Sequence, residues 1–387
     1  MTRPSDASVE MIRRLIGFDT TSRNSNLELI HWIRDYLKDL GADSELVYND
    51  ERTKANLYAT LGPTDRPGIA LSGHTDVVPI DGQDWTVDPW RVSEADGKLF
   101  GRGTCDMKSF VAICLAYAPR FAAAELSEPV HLAFSYDEEI GCVGVRPLLA
   151  HLAGKPIRPR MAIIGEPTDM KVVNAHKGKL SHTCRVRGFE CHSSLAPTGV
   201  NAIEYATRLI GKLIEMAEDK AKNGPFDADY DVPHTTIHTG LIQGGTALNI
   251  VPRDCAFDFE FRNLPVDDPD ALMRQVTDYA EQVLVPKMQA IRPNTGIEFE
   301  FYSAFAGLDT PADHEVVQLA KALTGGNSTA KVAFGTEAGL ISQAGIPSVV
   351  CGPGSIDQAH KPDEFVALEQ LALCERFMER LIERLAA

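Results

Sequence analysis

Two histidines and a set of carboxylates stand where short apolar runs of this chain end. Gly68-Ile-Ala-Leu-Ser-Gly leads into His74-Thr-Asp76, and Pro129-Val-His-Leu-Ala-Phe-Ser-Tyr leads into Asp137-Glu138-Glu139. Met161-Ala-Ile-Ile-Gly leads into Glu166, and Pro347-Ser-Val-Val-Cys-Gly leads, after a short loop, to His360. Asp106 lies in Gly101-Arg-Gly-Thr-Cys-Asp-Met-Lys, just ahead of an Ala-rich helical pattern. Imidazoles and carboxylates together are borderline-hard ligands suited to Zn²⁺ and similar divalent ions. In open α/β sheets, ligands bind outside the carboxyl ends of the strands. A metal site built from His74, Asp106, Glu139, Glu166 and His360 is therefore expected.

Asp76 lies two residues beyond His74 and, on extended backbone, shares its face, where it could orient the imidazole. Consecutive side chains diverge on extended backbone, so one carboxylate of Asp137-Glu138-Glu139 can bind metal while its neighbour stays free as a base. Taken alone, the same triplet reads as a solvated acidic turn.

These residues need a scaffold, and the chain supplies a recognisable one. Strands alternate with helices from about residue 45 to 175, the rhythm of a helix-covered, mainly parallel sheet. Near residue 180 the pattern changes. Leu180 to Arg187, Thr235 to Ile242, Asp254 to Arg262 and Thr295 to Phe305 alternate like half-exposed strands, with helical stretches Asn201 to Ala217 and Pro269 to Leu284 between them. Four antiparallel strands and two helices make a small α+β domain. The expected architecture is an α/β catalytic domain over 1–179 and 306–387, with a lid or dimerisation domain inserted over 180–305.

Composition narrows the partners. A net charge of −16, with Lys and Arg scattered, argues against nucleic acid. The longest apolar stretch, Phe110 to Ala118, is far short of the roughly 20 residues that a membrane span needs. The amino terminus is polar and the eight cysteines stand singly, which suits a cytoplasmic protein with reduced thiols. GxSxG, HExxH, P-loop and GxGxxG patterns are absent, which excludes serine-hydrolase, single-zinc protease, NTPase and dinucleotide readings.

The ordered set Gly73-His-Thr-Asp-Val-Val-Pro, Gly101-Arg-Gly-Thr-Cys-Asp-Met-Lys, Asp137-Glu-Glu-Ile-Gly, Gly165-Glu-Pro-Thr and Ala359-His360 resembles the zinc amidohydrolases. That family includes acetylornithine deacetylases, succinyl-diaminopimelate desuccinylases and carboxypeptidase G, and the resemblance covers essentially the whole chain. It implies two Zn²⁺ per chain, replaceable by Co²⁺. Asp106 would bridge them, with His74 and Glu166 on one and Glu139 and His360 on the other. Glu138 would be the general base, first for the attacking water and then towards the leaving amine.

The resemblance extends into the inserted domain. His192, in Glu190-Cys-His-Ser-Ser, is either a helix-entry histidine or the residue that reaches the oxyanion, often from the partner subunit of a homodimer. Asn249 and Arg262 resemble residues gripping the substrate carboxylate, for which Arg has a bidentate fork. Lys177 is a further candidate for that task or a solvated surface lysine. Gly335 and Thr336 resemble a backbone-and-hydroxyl contact in the pocket. Ala333-Phe-Gly-Thr-Glu-Ala-Gly and the segment Gly352 to Glu364 look like the branch acting on N-acetyl-L-ornithine in arginine biosynthesis. Glu337 either lies near ornithine's cationic end or caps its loop. Rival readings are a desuccinylase, another N-acyl amino acid hydrolase, or a non-catalytic metal-binding relative.

Overall fold

A computed structural model describes residues 3–386 of the 387-residue chain. It divides into two compact units. The first comprises the residues up to Ala175, Leu308–Lys331 and the chain from Thr336 onward, and the second comprises His176–Gly307 with Val332–Gly335.

The first unit is built on a mixed sheet covered by helices. At its centre lie four neighbouring strands in the order Val130–Ser135, Ile69–His74, Met161–Pro167 and Ser348–Gly352, each parallel to the next. The two central strands and their flanking pair are buried along their whole length, because helices cover both faces. The antiparallel strands Ser44–Tyr48 and Ala55–Leu61 extend one side, and Val173–His176 pairs antiparallel on the other. The sheet is thus parallel where the expected ligands sit and antiparallel towards its edges.

Helix Lys108–Ala123 packs across the sheet and is apolar nearly all round, with Phe110, Val111, Ile113, Leu115 and Phe121 buried. Its fit to the sheet is close. A Cβ at Gly165 would lie 2.0 Å from the Phe110 ring, so only glycine allows the residue before Glu166 to pass beneath that helix. Helices Asp6–Ile16 and Leu368–Leu385 complete the same core.

The second unit is a four-stranded antiparallel sheet in the order Thr236–Gly244, Asp254–Asn263, Gly178–Arg187, Gly296–Phe305. Cys255, Phe257, Phe259 and Phe261 alternate inward against helices Ala202–Asn223 and Pro269–Tyr279, while Asp258, Glu260 and Arg262 face the opposite side. Asn201 caps the longer helix, its side-chain oxygen accepting the Ile203 and Glu204 N–H groups. The expected Pro269 to Leu284 helix runs further, through a wide turn at Ala280–Leu284 into helix Val285–Ile291.

Candidate metal centre

Strand order explains why the ligand candidates meet. Parallel neighbours are about 4.8 Å apart, so residues at the carboxyl ends of four adjacent strands fall into one small volume. His74 is the last residue of its strand and pairs in register with Ser135, after which the chain turns to Asp137-Glu138-Glu139. Glu166 ends the next strand but one residue, and His360 follows the short turn Ile356–Gln358 beyond the fourth. Asp106 comes from the loop that enters helix Lys108–Ala123.

Asp106 stands at the middle of the cluster. Its Oδ1 is 3.0 Å from His74 Nε2, and its Oδ2 is 3.2 Å from His360 Nε2. Glu166 Oε1 lies 3.7 Å from the same His74 nitrogen, and Glu139 Oε2 lies 3.0 Å from His360 Nε2. The geometry therefore has two lobes that share one carboxylate. Ligand atoms of His74, Asp106 and Glu139 all fall within 4.8 Å of one another, as do those of His74, Glu138 and Glu166.

The protonation pattern shows what this cluster lacks. His74 Nδ1 is 2.9 Å from the backbone carbonyl of Asp76, so Nδ1 carries the proton and donates it there. Nε2 then faces the Asp106 carboxylate at 3.0 Å, an approach that needs a proton or a cation between the two atoms. Burial raises Glu138 and Glu166 well above the ordinary carboxylate range, with His74 opposing and neighbouring carboxylates adding to the rise. Burial, then Asp106, pushes Glu139 up to about 7. Burial would raise Asp106 too, but hydrogen bonds from His360 and His74 hold it below the usual range. Hydrogen bonds to Asp106 and Glu139 lift His360 to about 10, whereas burial of His74 is outweighed by Glu166, Asp106 and Asp76. The second oxygen of Glu139 is buried with no hydrogen-bond partner. Crowded buried carboxylates, two imidazoles facing them and an orphaned oxygen fit a divalent metal centre.

Asp76 faces His74 with both its main chain and its side chain. The backbone carbonyl makes the close contact, and the carboxylate stays 3.5 Å from Nδ1. That carboxylate also accepts the N–H of Glu138 at 3.1 Å, the N–H of Glu139 at 3.3 Å and the Ser22 hydroxyl at 2.7 Å.

Several supporting residues were not foreseen. Lys54 Nζ donates to Asp137 at 2.5 Å and to the Ser22 carbonyl, pinning the turn from outside. Cys142 Sγ lies 3.3 Å from Glu138 Oε1. Glu364 is fully buried and accepts from the loop carrying Asp106. Among these, only Glu364 had a signal in sequence, its place four residues beyond a candidate ligand histidine, and nothing there gave its direction.

The pocket candidates divide between the units. Thr336 is buried, and its hydroxyl oxygen accepts the Ala338 N–H at the start of helix Ala338–Gln343. Glu337 makes no cap hydrogen bond, so the loop-capping alternative belongs to Thr336. The Glu337 carboxyl is buried, one of its oxygens is unpartnered, and burial pushes it up to about 7.

In the second unit, His192 is exposed at the entry to the short 3₁₀ turn Ser193–Thr198. Its Nδ1 accepts the Ser194 N–H at 3.2 Å, which leaves Nε2 as the protonated, outward nitrogen. The Ser193 N–H donates to the Asn249 carbonyl, so His192 and Asn249 lie on adjoining segments. Arg262 is paired with Glu260 at 2.9 Å, beside Lys179. Gly335 lies against Phe305, whose ring a Cβ would overlap at 1.8 Å. Lys177 is not a solvated surface lysine. It is buried, and its ammonium donates to the His234 carbonyl at 2.5 Å.

A cluster of this composition at the carboxyl ends of parallel strands, in a chain with an inserted antiparallel domain, defines a metallohydrolase of the α/β class. The chain belongs to the peptidase family M20/M25/M40, whose model matches residues 70–384. It is 35% identical over 382 residues to the acetylornithine deacetylase of Proteus mirabilis, covering 97% of this chain and 96% of that one. It is 34% identical over 382 residues to the acetylornithine deacetylase of Photorhabdus laumondii, with the same two shares. Among solved structures it is similar to an M20 family metallo-carboxypeptidase of Sulfolobus solfataricus, with TM-score 0.77, 18% identity and coverage of 98% of this chain and 99% of that one. The aminopeptidase PepT of Bacillus cereus gives TM-score 0.74 at 22% identity, over 99% of each chain. These two share its fold.

Proposed function

We propose that the protein hydrolyses the amide of N-acetyl-L-ornithine to L-ornithine and acetate, a step of arginine biosynthesis, in the cytoplasm. The observation that carries the reading is Asp106 between two histidines, each with a further glutamate, in a chain 34–35% identical to curated acetylornithine deacetylases. His74 and Glu166 would hold one Zn²⁺, Glu139 and His360 a second, and Asp106 both; Co²⁺ can substitute. The ions supply Lewis acidity towards the amide carbonyl and the attacking water.

The remaining work falls to side chains. Glu138 takes a proton from the attacking water and returns it to the leaving amine. Loss of hydration raises its affinity for that proton, as a base working near neutral pH requires. His192, with its proton on the outward Nε2, is suited to donate to the oxyanion. Asn249 and Arg262 bind the substrate carboxylate, with Arg262 exchanging or sharing Glu260; Gly335 and Thr336 contribute to the pocket. Glu337, whose buried oxygen is unpartnered, answers the cationic end of ornithine. Lys177, already bonded to a carbonyl, is the weakest of the carboxylate candidates.

The working form is a homodimer through the second unit. Leu241, Ile242, Phe301 and Tyr302, on the two edge strands of its sheet, are each more than half exposed, which favours a covering partner. The cytoplasmic reading rests on eight free cysteines. Among the described residues, no helix is long and apolar enough to cross a membrane.

A hydrolysis panel with added Zn²⁺ or Co²⁺ tests the substrate. N-acetyl-L-ornithine should exceed N-succinyl-diaminopimelate and N-acetyl-L-methionine in kcat/KM by tenfold or more. A preference for the succinyl substrate would replace the proposal with the desuccinylase reading, and no turnover of any would favour a non-catalytic relative.

A further inference from the structure

Glu364 lies on neither lobe of the cluster, yet its carboxylate is wrapped by the loop that carries the shared ligand. Its Oε1 accepts the N–H of Cys105 at 2.8 Å and of Asp106 at 3.0 Å. Its Oε2 accepts the N–H of Gly103 at 3.0 Å and Arg102 Nη1 at 2.7 Å. The side chains of Glu364 and Arg102 are each 1% exposed. Three backbone N–H groups converging on one anion form a nest, and the turn that makes it uses Gly103 at φ +84°, open to glycine without strain.

The backbone of the same residue is also engaged. The Glu364 carbonyl accepts the Gly101 N–H at 2.9 Å and the Thr104 hydroxyl at 3.3 Å. Arg102 continues the network to Gln83, whose amide donates to the His360 carbonyl at 2.9 Å. His360 and Glu364 are four residues apart on one loop. The loop that carries Asp106 is thus bonded to the loop that carries His360 through a buried ion pair and a carboxylate nest.

We infer that Glu364 is a positioning residue for the metal centre: by fixing the Gly101–Asp106 loop against the His360 loop, it sets the separation of these two ligands and hence metal affinity. This rests on the metal reading proposed above. Without the nest anion, three buried N–H groups point at one another's space with nothing to accept them, and the loop must rearrange. The Asp106 carboxylate then loses its fixed distance to His360. Groups that orient metal ligands in this way typically change affinity 10–100-fold when replaced. An amide at this position supplies one acceptor oxygen, but its NH₂ faces donors.

The test compares Glu364→Gln with Glu375→Gln in the full-length chain. Glu375 is a second buried carboxylate of the same unit, accepting from the Ser5 and Ser8 hydroxyls on the first helix. It is therefore a control for general destabilisation. The measurements are the Zn²⁺ dissociation constant by competition with a chromophoric chelator, the visible spectrum of the Co²⁺ form, and the melting temperature of the metal-free proteins. Glu364→Gln should weaken Zn²⁺ 10–100-fold and alter the Co²⁺ bands. Glu375→Gln should lower the melting temperature and leave both metal readouts unchanged. Zinc affinity of Glu364→Gln within twofold of wild type, or weakened no more than that of Glu375→Gln, overturns the inference. Should Glu364→Gln fail to fold, Glu364→Asp takes its place under the same criteria. Wild-type protein that takes up no divalent ion overturns the metal reading itself, and this inference with it.

Discussion

The carboxylate of Asp76 accepts the backbone N–H of Glu138 at 3.1 Å. It also accepts that of Glu139, while the carbonyl of Asp76 fixes the proton of His74 on Nδ1. One residue therefore binds a candidate ligand histidine by its main chain and holds the turn with the proposed base by its side chain. Replacement of Asp76 by Ala removes the hold on the turn and the carboxylate 3.5 Å from His74 Nδ1, and leaves the carbonyl contact. Turnover should fall 10–100-fold and metal affinity should weaken through Glu139, whereas Asp76→Asn, which keeps one acceptor oxygen, should lose less. Steady-state kinetics beside a zinc titration checks this, and Asp76→Ala activity within threefold of wild type would count against the turn's dependence on Asp76.

Glu138 and Glu139 are neighbours with different fates in the proposal. Glu139 is 3.0 Å from His360, whereas the hydrogen bond to Glu138 comes from the Cys142 thiol. Glu138→Gln should therefore keep the metal and lower kcat by a factor of about 10² to 10⁴, the usual contribution of a general base. The ligand set matters here, because Glu138 also lies close to His74 and Glu166. Loss of bound metal in Glu138→Gln, measured by elemental analysis, would make Glu138 a ligand; retained metal with full turnover would remove it as the base.

The candidate ligands were legible as His and acidic residues at or shortly beyond the ends of short apolar runs, and the four runs form adjacent parallel strands. The inserted unit was legible for a related reason, since Cys255 to Phe261 alternates with period two. Contacts between distant segments were not legible. Glu364 and Asp106 are 258 residues apart, and Lys54 and Asp137 are 83 apart, so no local pattern links them. Burial of Lys177 also escaped, because its acceptor is a backbone carbonyl, which leaves no mark in side-chain identity. The same holds for the contact of His74 with the main-chain carbonyl of Asp76. Local chemistry predicts which residues can bind, but not which atoms do.

Metal should stabilise this protein as well as activate it. A ligand that binds only the folded state adds RT ln(1 + [L]/Kd), about 4 kcal/mol at a thousandfold excess over Kd. The cluster gains in addition from neutralised crowding among Asp106, Glu139 and Glu166. Dialysis against a chelator should lower the melting temperature by several degrees, and added Zn²⁺ should restore it. Because the ligands must be deprotonated, the restoration should be larger at pH 7 than at pH 5. A melting temperature indifferent to chelator and zinc would argue that the cluster holds no ion.

His131 offers a stability prediction that does not involve the metal. It is buried in strand Val130–Ser135, stacked on Tyr58 at 5.3 Å, with Nδ1 3.0 Å from the Thr60 hydroxyl and Nε2 without a partner. Burial lowers its pKa to about 4, with Lys155 lowering it further and Glu128 opposing. An unfolded histidine titrates near 6.5, so the unfolded chain binds the proton more readily. The stability contribution is therefore fully present above pH 6.5 and is lost as pH falls from there towards 4. The loss amounts to about 2 kcal/mol by pH 5. His131→Gln, which cannot be protonated, should lose less stability than wild type between pH 7 and pH 5, by about that amount. Denaturant unfolding of both proteins at the two pH values measures the difference directly. Equal losses in the two proteins would mean that His131 takes up no proton on unfolding in this range.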